Sequence, residues 1–310
     1  MLPYKVIVTN KQLSGSGVSG EAEFEFLSLD DAKAYATSLT TAYSQVNVYI
    51  WDGTTVIPYE SSAPAFDADY QAVLDRSTTL GYTAPSASQQ TLQNTLVTDL
   101  KTAGIWSKLD ALYIMANDGS SDFGLLNWAS PSTFELSGVS SPTFTSNQGF
   151  TGNGSSSTLD TGITLDTDTT HFSTTNKEGS FGGWSYNIKV SGGAALMGTD
   201  DYFNDIRGGS NDRIMGRPPG TGTLITGLYH MNAAPTGTSV IPTQYINGSL
   251  EVTGAISAPV SYLDATIHLL SEGGTQAFSS DTISIAFIGG DLSAEASDLY
   301  NAFNTYMSAI

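Results

Sequence analysis

The chain contains 310 residues, of which only 13% are charged, and carries a formal net charge of −19 at pH 7. Nucleic acids and anionic membranes both attract clustered lysine and arginine, so this charge balance disfavours both as partners. Because the chain has no cysteine, disulfides, thiolate catalysis and cysteine-bound zinc are excluded. The chain opens without a basic segment or a long apolar run, so we expect neither a secretory signal nor a transmembrane helix.

Residues 1–60 are predicted to form a small ββαββ domain that docks or assembles the chain. Residues 21–26 alternate acids with Ala and Phe, which is typical of a strand with one buried face. A helical pattern follows from residue 29, and Asp52-Gly53 is a two-residue hairpin signal between two further strands.

Residues 61–110 are predicted to be a helical connector. A short helix is expected near residues 66–80, and Ser86 or Ser88 is placed to cap a second helix. Gly104 lies where a helix commonly ends on a left-handed glycine.

Residues 111–310 change to short apolar runs separated by turn clusters, which favours a β-sandwich or barrel. The last strand is predicted at residues 282–288, followed by a Gly289-Gly290 break. Asp291 or Ser293 is placed to cap a closing helix. The apolar stripe of that helix is expected at Leu292, Ala296, Leu299, Phe303 and Tyr306.

This closing segment, residues 285–301, resembles the end of concanavalin A-like, laminin-G-type jelly rolls. The resemblance implies two stacked antiparallel sheets and a fold that often binds glycans. We therefore expect a mainly β protein with a small α+β N-terminal domain and a C-terminal antiparallel β-sandwich closed by a short helix.

A second resemblance runs through residues 100–110, 122–128 and 150–161. Together with the closing segment it is similar to a family of phage structural proteins of the fibre, spike or decoration type, in which an adaptor precedes a laminin-G-like domain. The resemblance implies a virion location, contacts with other virion proteins, and a homo-oligomer, trimeric by analogy.

Catalytic patterns are weak in this sequence. The three histidines, His171, His230 and His268, are far apart and are interpreted as structural or surface residues. Glu21, Glu23 and Glu25 have the spacing of the carboxylates in jelly-roll glucanases, but they lie in the N-terminal domain and are interpreted as a solvated acidic face. We expect no enzymatic activity.

Glycan binding would need exposed aromatic rings beside polar or cationic groups. The candidates by residue type are Trp184, Tyr186, Tyr202, Arg207 and Arg213. We expect no cofactor, apart from a possible structural calcium ion, since laminin-G folds often carry one at the sandwich rim. Its candidate ligands are Asp200, Asp201 and Asp205.

The leading hypothesis is a non-enzymatic virion structural protein that displays a lectin-like jelly roll for adhesion to host or other glycans. Two alternatives stay open: a secreted glycan-active enzyme or carbohydrate-binding module, and an architectural capsid cement protein without a ligand. A pair of carboxylates in a cleft on the concave sheet would favour the enzyme, and filled sheet faces without a groove would favour the cement protein.

Overall fold

A computed structural model describes residues 4–10, 21–42, 46–51, 54–58, 66–165, 167–172, 178–187, 195–198, 203–205, 226–236, 239–253 and 266–310. The chain divides into two compact units, Met1–Phe66 and Asp67–Ile310. In the described part of the chain, no helix combines the length and apolar character needed to span a membrane.

The first unit is one antiparallel sheet with a helix on it. In chain order its elements are β1 (Tyr4–Asn10), β2 (Glu21–Phe26), α1 (Leu29–Ala42), β3 (Val46–Trp51) and β4 (Val56–Pro58). The strands lie in the order β2-β1-β3-β4. The ββαββ order is the one predicted from the sequence.

Strict alternation along the strands gives this sheet two different faces. Val6, Val48 and Ile50 point to one face and pack with Ala32 and Ala36 of α1. On the opposite face, the Lys5 ammonium lies 2.9 Å from the Glu23 carboxylate and 3.7 Å from that of Glu25. Glu23 and Glu25 are largely exposed, which agrees with the interpretation of a solvated acidic face.

The second unit begins with two helices and then becomes mainly β. Its elements up to the first long sheet strand are α2 (Ala68–Leu80), α3 (Ala87–Thr102), β5 (Leu109–Ile114), β6 (Ser137–Val139), β7 (Thr143–Thr145), β8 (Gly149–Thr151), β9 (Thr158–Thr164) and β10 (Gly179–Asn187). The remaining elements are β11 (Ala195–Gly198), β12 (Phe203–Asp205), β13 (Gly227–Thr236), β14 (Ser239–Ile246), β15 (Ser249–Thr253), β16 (Thr266–Leu269), β17 (Thr282–Gly289) and α4 (Ala296–Ala309).

Two antiparallel sheets form the sandwich. Among the described residues, the larger sheet follows the order β15-β14-β13-β10-β17-β8-β7, with β5 also paired to β17, and the smaller sheet follows β12-β11-β16-β9-β6. Both sheets contribute to one buried core, in which Met231 and Ile288 of the larger sheet meet Leu159 and Leu269 of the smaller one. The predicted fold class, a mainly β protein with a C-terminal jelly-roll sandwich closed by a short helix, is confirmed.

The last strand, β17, lies in the centre of the larger sheet. It pairs with β10 along one edge and with β8 and β5 along the other, and all eight of its residues are buried. A strand buried on both faces explains why alternation gives way to a continuous apolar run in its second half. The prediction that the last strand is central is therefore correct.

Helix α4 packs on the outer face of the larger sheet. The Phe303 ring of α4 lies 6.1 Å from the Phe287 ring of β17, and the Tyr300 ring stacks parallel to Trp184 of β10 at 6.1 Å. The helix begins at Ala296, later than expected, and Glu295 at its N-cap makes no side-chain capping bond. Leu292 is buried ahead of the helix and is not part of its stripe, contrary to the prediction. The Asp291 carboxylate accepts the Ser293 amide at 2.8 Å, and neither Asp291 nor Ser293 is the N-cap residue, so the predicted cap was wrong.

From residue 67 onward, the predicted connector contains two helices and belongs to the same compact unit as the sandwich. A buried hydrogen-bond chain runs from the Tyr70 hydroxyl to Gln93 (2.7 Å), from Gln93 to the Tyr306 hydroxyl (3.1 Å), and from Tyr306 to the Ala116 carbonyl (2.6 Å). This chain of hydrogen bonds joins α2, α3 and α4 to the segment that follows β5. A free-standing spacer would have no reason to bury these polar groups together.

The caps of α3 follow the sequence signals. The Ser86 hydroxyl accepts the Gln89 amide at the start of the helix. At its end, Gly104 has a φ of 72°, and the Ile105 amide donates back to the Leu100 carbonyl at 2.9 Å. This is the left-handed glycine termination that the sequence predicted.

Candidate functional site

The best-defined candidate site in the described residues is a polar cleft at one end of the sandwich, where β17 leads into α4. Its volume is about 260 Å³. Ligand pockets for drug-sized molecules usually span about 300–1,000 Å³, so the cleft suits a single small polar group. It is lined by Lys108, His171, Glu178, Gly290, Asp291, Ala294 and Glu295.

The segment just before β5 brings Lys108 to the cleft. The Gly290 amide donates to the Lys108 carbonyl at 2.8 Å, which ties the segment before β5 to the chain leaving β17. The Lys108 ammonium lies 2.8 Å from the Glu295 carboxylate and 3.2 Å from the Asp291 carbonyl. One cation therefore holds both ends of the loop that enters α4.

His171 stands on the opposite rim, on a loop anchored by Asp110. The Asp110 carboxylate accepts the backbone amides of Thr170, His171 and Phe172 at 2.7–3.2 Å. The Phe172 ring is buried, whereas the His171 side chain is exposed. The anchored backbone thus presents the His171 imidazole at the cleft, while the neighbouring Phe172 ring packs in the protein interior.

Two glycines make room around this rim. A Cβ on Gly290 would lie 3.1 Å from the His171 carbonyl oxygen, and one on Gly179 would overlap the Phe172 ring. Gly179 starts β10, and Glu178 just before it lines the cleft. The absence of side chains at these positions lets the two rims approach closely.

The charge of the cleft is negative. Three carboxylates, from Glu178, Asp291 and Glu295, face one lysine and one histidine. Carboxylate oxygens accept hydrogen bonds from hydroxyl, amide or ammonium groups. The arrangement therefore suits a neutral polyhydroxyl group or a cation and disfavours an anion.

Buried polar groups hold the loop that carries Asp291. The Leu292 amide donates to the Ser180 hydroxyl at 3.0 Å and to the Asn232 side-chain oxygen at 3.1 Å. Ser180 also donates to Asn232. These contacts join strands β10 and β13 to the loop beside Asp291, so the loop is fixed by the sheet below it.

His230 lies in the same layer as Asn232 and is fully buried. Its ring stacks on Tyr245 at 5.1 Å and meets Phe287 edge-on at 5.4 Å. Neither ring nitrogen has a hydrogen-bond partner among the described residues. Burial lowers the pKa of His230 to about 3, with the carboxylate of Asp291 acting weakly in the opposite direction.

The structure describes two of the five residues that were predicted to bind glycans. Trp184 is 6% exposed and stacks on Tyr300, so its ring belongs to the helix–sheet contact. Tyr186, at 40% exposure, is open to solvent near the end of β10. Tyr202, Arg207 and Arg213 lie outside the described residues, so a site containing them stays a prediction.

The predicted calcium ligands also fall largely beyond what is described. Asp200 and Asp201 lie outside the described residues, and Asp205 is the last residue of β12, whose backbone pairs with Ala195 of β11. Among the described residues, no group of three or more histidines and carboxylates is arranged to hold a metal ion. A calcium site at these aspartates stays a prediction.

His268 belongs to a polar network on the outer face of the smaller sheet. Its ring nitrogens lie 3.4 Å from the Thr158 hydroxyl and 3.8 Å from the Asp160 carboxylate. The Thr158 hydroxyl also contacts Ser271 at 2.7 Å, but Thr158 and Ser271 are both buried. A substrate could not reach either hydroxyl, so the network resembles a catalytic triad in composition only.

The cleft was not predicted from the sequence. Its residues come from four separate segments, and the pattern of each segment alone is that of an ordinary loop. The signal that was present is the Gly289-Gly290-Asp291 break after the most apolar strand. That break marks where a central strand reaches the end of the sheet.

No protein-family model matches the chain, and no curated protein matches it. Domain 4 of AbnA, a GH43 extracellular arabinanase from Geobacillus stearothermophilus solved with arabinotriose, aligns with a TM-score of 0.35 and 13% identity, over 62% of this chain and 98% of that one. Trypanosoma rangeli sialidase aligns with a TM-score of 0.40 and 10% identity, over 84% of this chain and 49% of that one. The binding domain of botulinum neurotoxin serotype G aligns with a TM-score of 0.37 and 14% identity, over 62% of this chain and 50% of that one. This chain therefore spans about half the length of the last two, and all three likenesses are too distant to assign an activity.

Proposed function

We propose that this chain is a non-enzymatic structural protein of a phage virion whose sandwich unit is displayed outward and adheres weakly to surface glycans. The phage assignment is supported by the sequence resemblance and by the low-charge, Gly-, Ser- and Thr-rich composition. Many copies on one particle would turn weak individual contacts into useful avidity.

The observation that carries the glycan part of the proposal is the cleft at the end of the sandwich. Its carboxylates are acceptors for sugar hydroxyls, and its backbone is fixed by Asp110, Lys108 and the Ser180–Asn232 pair. A fixed set of acceptors costs little conformational entropy on binding. The negative charge favours neutral sugars over sialylated ones.

The test is a glycan array probed with the full chain immobilised at high density on beads. We expect binding to neutral glycans that weakens at least tenfold in His171→Ala and Glu178→Gln, which change the rim. Asp99→Asn, in the separate groove between α3 and α4, is the matched control and should bind normally. No binding at high valency would refute the adhesion role.

A second candidate is an architectural cement protein without a ligand. The observation that favours it is the helix layer on the larger sheet, where Phe303 and Tyr300 occupy the outer face. A cement protein would bind and stabilise purified capsids while giving no signal on any glycan. That pair of results would decide between the two candidates.

A further inference from the structure

A groove of about 350 Å³ lies between helices α3 and α4, and we call it the α3–α4 groove. It shares no lining residue with the cleft. Each helix lines the groove with residues three or four positions apart, which places them on one helix face. They include Asp99, Thr102 and the C-cap residue Ala103 from α3, and Asp298, Ala302 and Thr305 from α4.

The walls of the α3–α4 groove are preformed. The hydrogen bond from Gln93 to the Tyr306 hydroxyl, at 3.1 Å, joins the two helices in the protein interior. Small side chains then leave the space between them open, since Ala302 is 7% exposed and Ala103 is half-buried. A ligand would therefore enter the groove without ordering its walls, which reduces the entropic cost of binding.

The polar atoms of the groove are mainly hydrogen-bond acceptors. The Thr102 hydroxyl donates its one hydrogen to the Thr98 carbonyl at 2.8 Å, and the Thr305 hydroxyl donates to the Asn301 carbonyl at 2.8 Å. Both hydroxyls therefore offer a ligand only oxygen lone pairs. A ligand that matches this lining must supply the hydrogen-bond donors.

The charge of the groove is negative and uncompensated. Asp99 and Asp298 are exposed and form no ion pair among the described residues. The three cations that the structure describes in the sandwich unit are engaged elsewhere. Lys101 lies 2.6 Å from two carboxylates at the start of α2, Lys108 lies 2.8 Å from a carboxylate of the cleft, and Arg76 acts electrostatically on a tyrosine that follows α2. The cation that the groove fits must therefore come from another molecule.

We propose that the α3–α4 groove binds a basic segment of a different protein, with a lysine or arginine side chain lying along it. The ammonium or guanidinium group would donate to the Asp99 and Asp298 carboxylates, as charge-assisted hydrogen bonds. The aliphatic part of the same side chain would cover Ala302. This inference is independent of glycan binding, because the groove and the cleft are separate.

Other occupants fit the groove less well. A second copy of this chain is disfavoured, because each copy carries a formal net charge of −19 and the two would repel. No group of three or more histidines and carboxylates in the described residues is arranged to hold a metal ion. No aromatic ring lines the groove, so a sugar would find no stacking surface there.

The test is fluorescence anisotropy of a labelled peptide of alternating arginine and glycine, titrated with the full chain. At about 0.15 M salt the Debye length is about 8 Å, so charges far from the groove are screened. We expect saturable binding that weakens at least tenfold when Asp99→Asn is combined with Asp298→Asn. The matched control combines Asp75→Asn with Glu251→Gln, which removes the same charge from exposed positions outside the groove and should bind normally. Ala103→Leu, which fills the groove without changing the net charge, should also weaken binding at least tenfold.

Weakening by both groove variants, with the control normal and circular dichroism unchanged, supports the proposal. Equal weakening by the groove pair and the control pair would overturn it, because the peptide would then respond to net charge alone. Binding that Ala103→Leu leaves intact, or a peptide that does not bind, would also overturn it. So would self-association of the chain that Ala103→Leu abolishes, because the occupant would then be a second copy.

Discussion

The buried histidine under α4 makes the stability of the sandwich unit depend on pH. His230 is neutral in the folded chain because burial lowers its pKa to about 3, compared with about 6.5 for an accessible histidine. The neutral form is therefore favoured by folding. The lowered pKa of His230 therefore contributes nothing unfavourable to the free energy of unfolding above pH 6.5. As the pH falls from 6.5 towards 3, the unfolded chain takes up the proton and this part of the stability is lost progressively.

The magnitude follows from the two pKa values. Between pH 8 and pH 5, proton uptake by the unfolded chain alone should reduce the free energy of unfolding by about 2 kcal/mol, and at pH 4 the loss should reach about 3 kcal/mol. The groups around the ring offer little compensation. Tyr245 and Phe287 contact it with their rings, and Asp291 is the carboxylate that acts on it from the loop before α4.

The assay is urea unfolding of the full chain at pH 8, 6.5, 5 and 4, followed by tryptophan fluorescence, for the wild type and His230→Phe. Carboxylates elsewhere titrate equally in both proteins, so the difference between them isolates His230. We expect the wild type to lose about 2 kcal/mol relative to the variant between pH 8 and pH 5. His171→Ala, which removes an exposed histidine, should track the wild type. A difference between wild type and His230→Phe that is constant with pH would refute the reasoning.

Three further outcomes follow from the packing. Phe303→Ala should lower the free energy of unfolding by about 3–5 kcal/mol in urea titration, because its ring is fully buried against Phe287. Gly182→Ala should prevent normal folding, measured as loss of soluble protein, since a Cβ would overlap the Tyr229 carbonyl and lie 2.9 Å from the His230 Cα. Lys108→Met should change stability by less than about 1 kcal/mol in the same titration, because its ion pair with Glu295 is partly exposed.

The sequence predicted the elements whose signals are local. The apolar second half of β17 and the Gly289-Gly290 break sit within one short segment, so the pattern was sufficient to place the strand in the sheet centre. The start of α4 was misplaced because local pattern does not determine it. The Leu292 amide donates hydrogen bonds to Ser180 and Asn232, which lie 112 and 60 residues away in the chain.

Contacts between distant segments also decide which residues are available to bind a glycan, and residue type alone does not show them. Trp184 was chosen by residue type, but whether an aromatic ring on β10 faces solvent depends on whether a helix covers that face of the sheet. In this fold Tyr300 of α4 occupies the position in which a sugar would stack. The cleft residues, by contrast, carry no distinctive pattern and become a set only when β5, β10 and β17 are aligned.

The packing of α4 also explains why His230 and Asn232 are tolerated in the interior of the sandwich unit. They occupy alternate positions on β13 and therefore share the face that α4 and its entry loop cover. Asn232 binds the Leu292 amide there, which places the loop and with it Asp291 at the cleft. His230 contributes no hydrogen bond among the described residues, so its ring is held by aromatic packing alone. Protonating that ring would place an unpaired charge directly beneath α4. The helix that closes the sandwich and the loop that forms the cleft should therefore loosen together in acid.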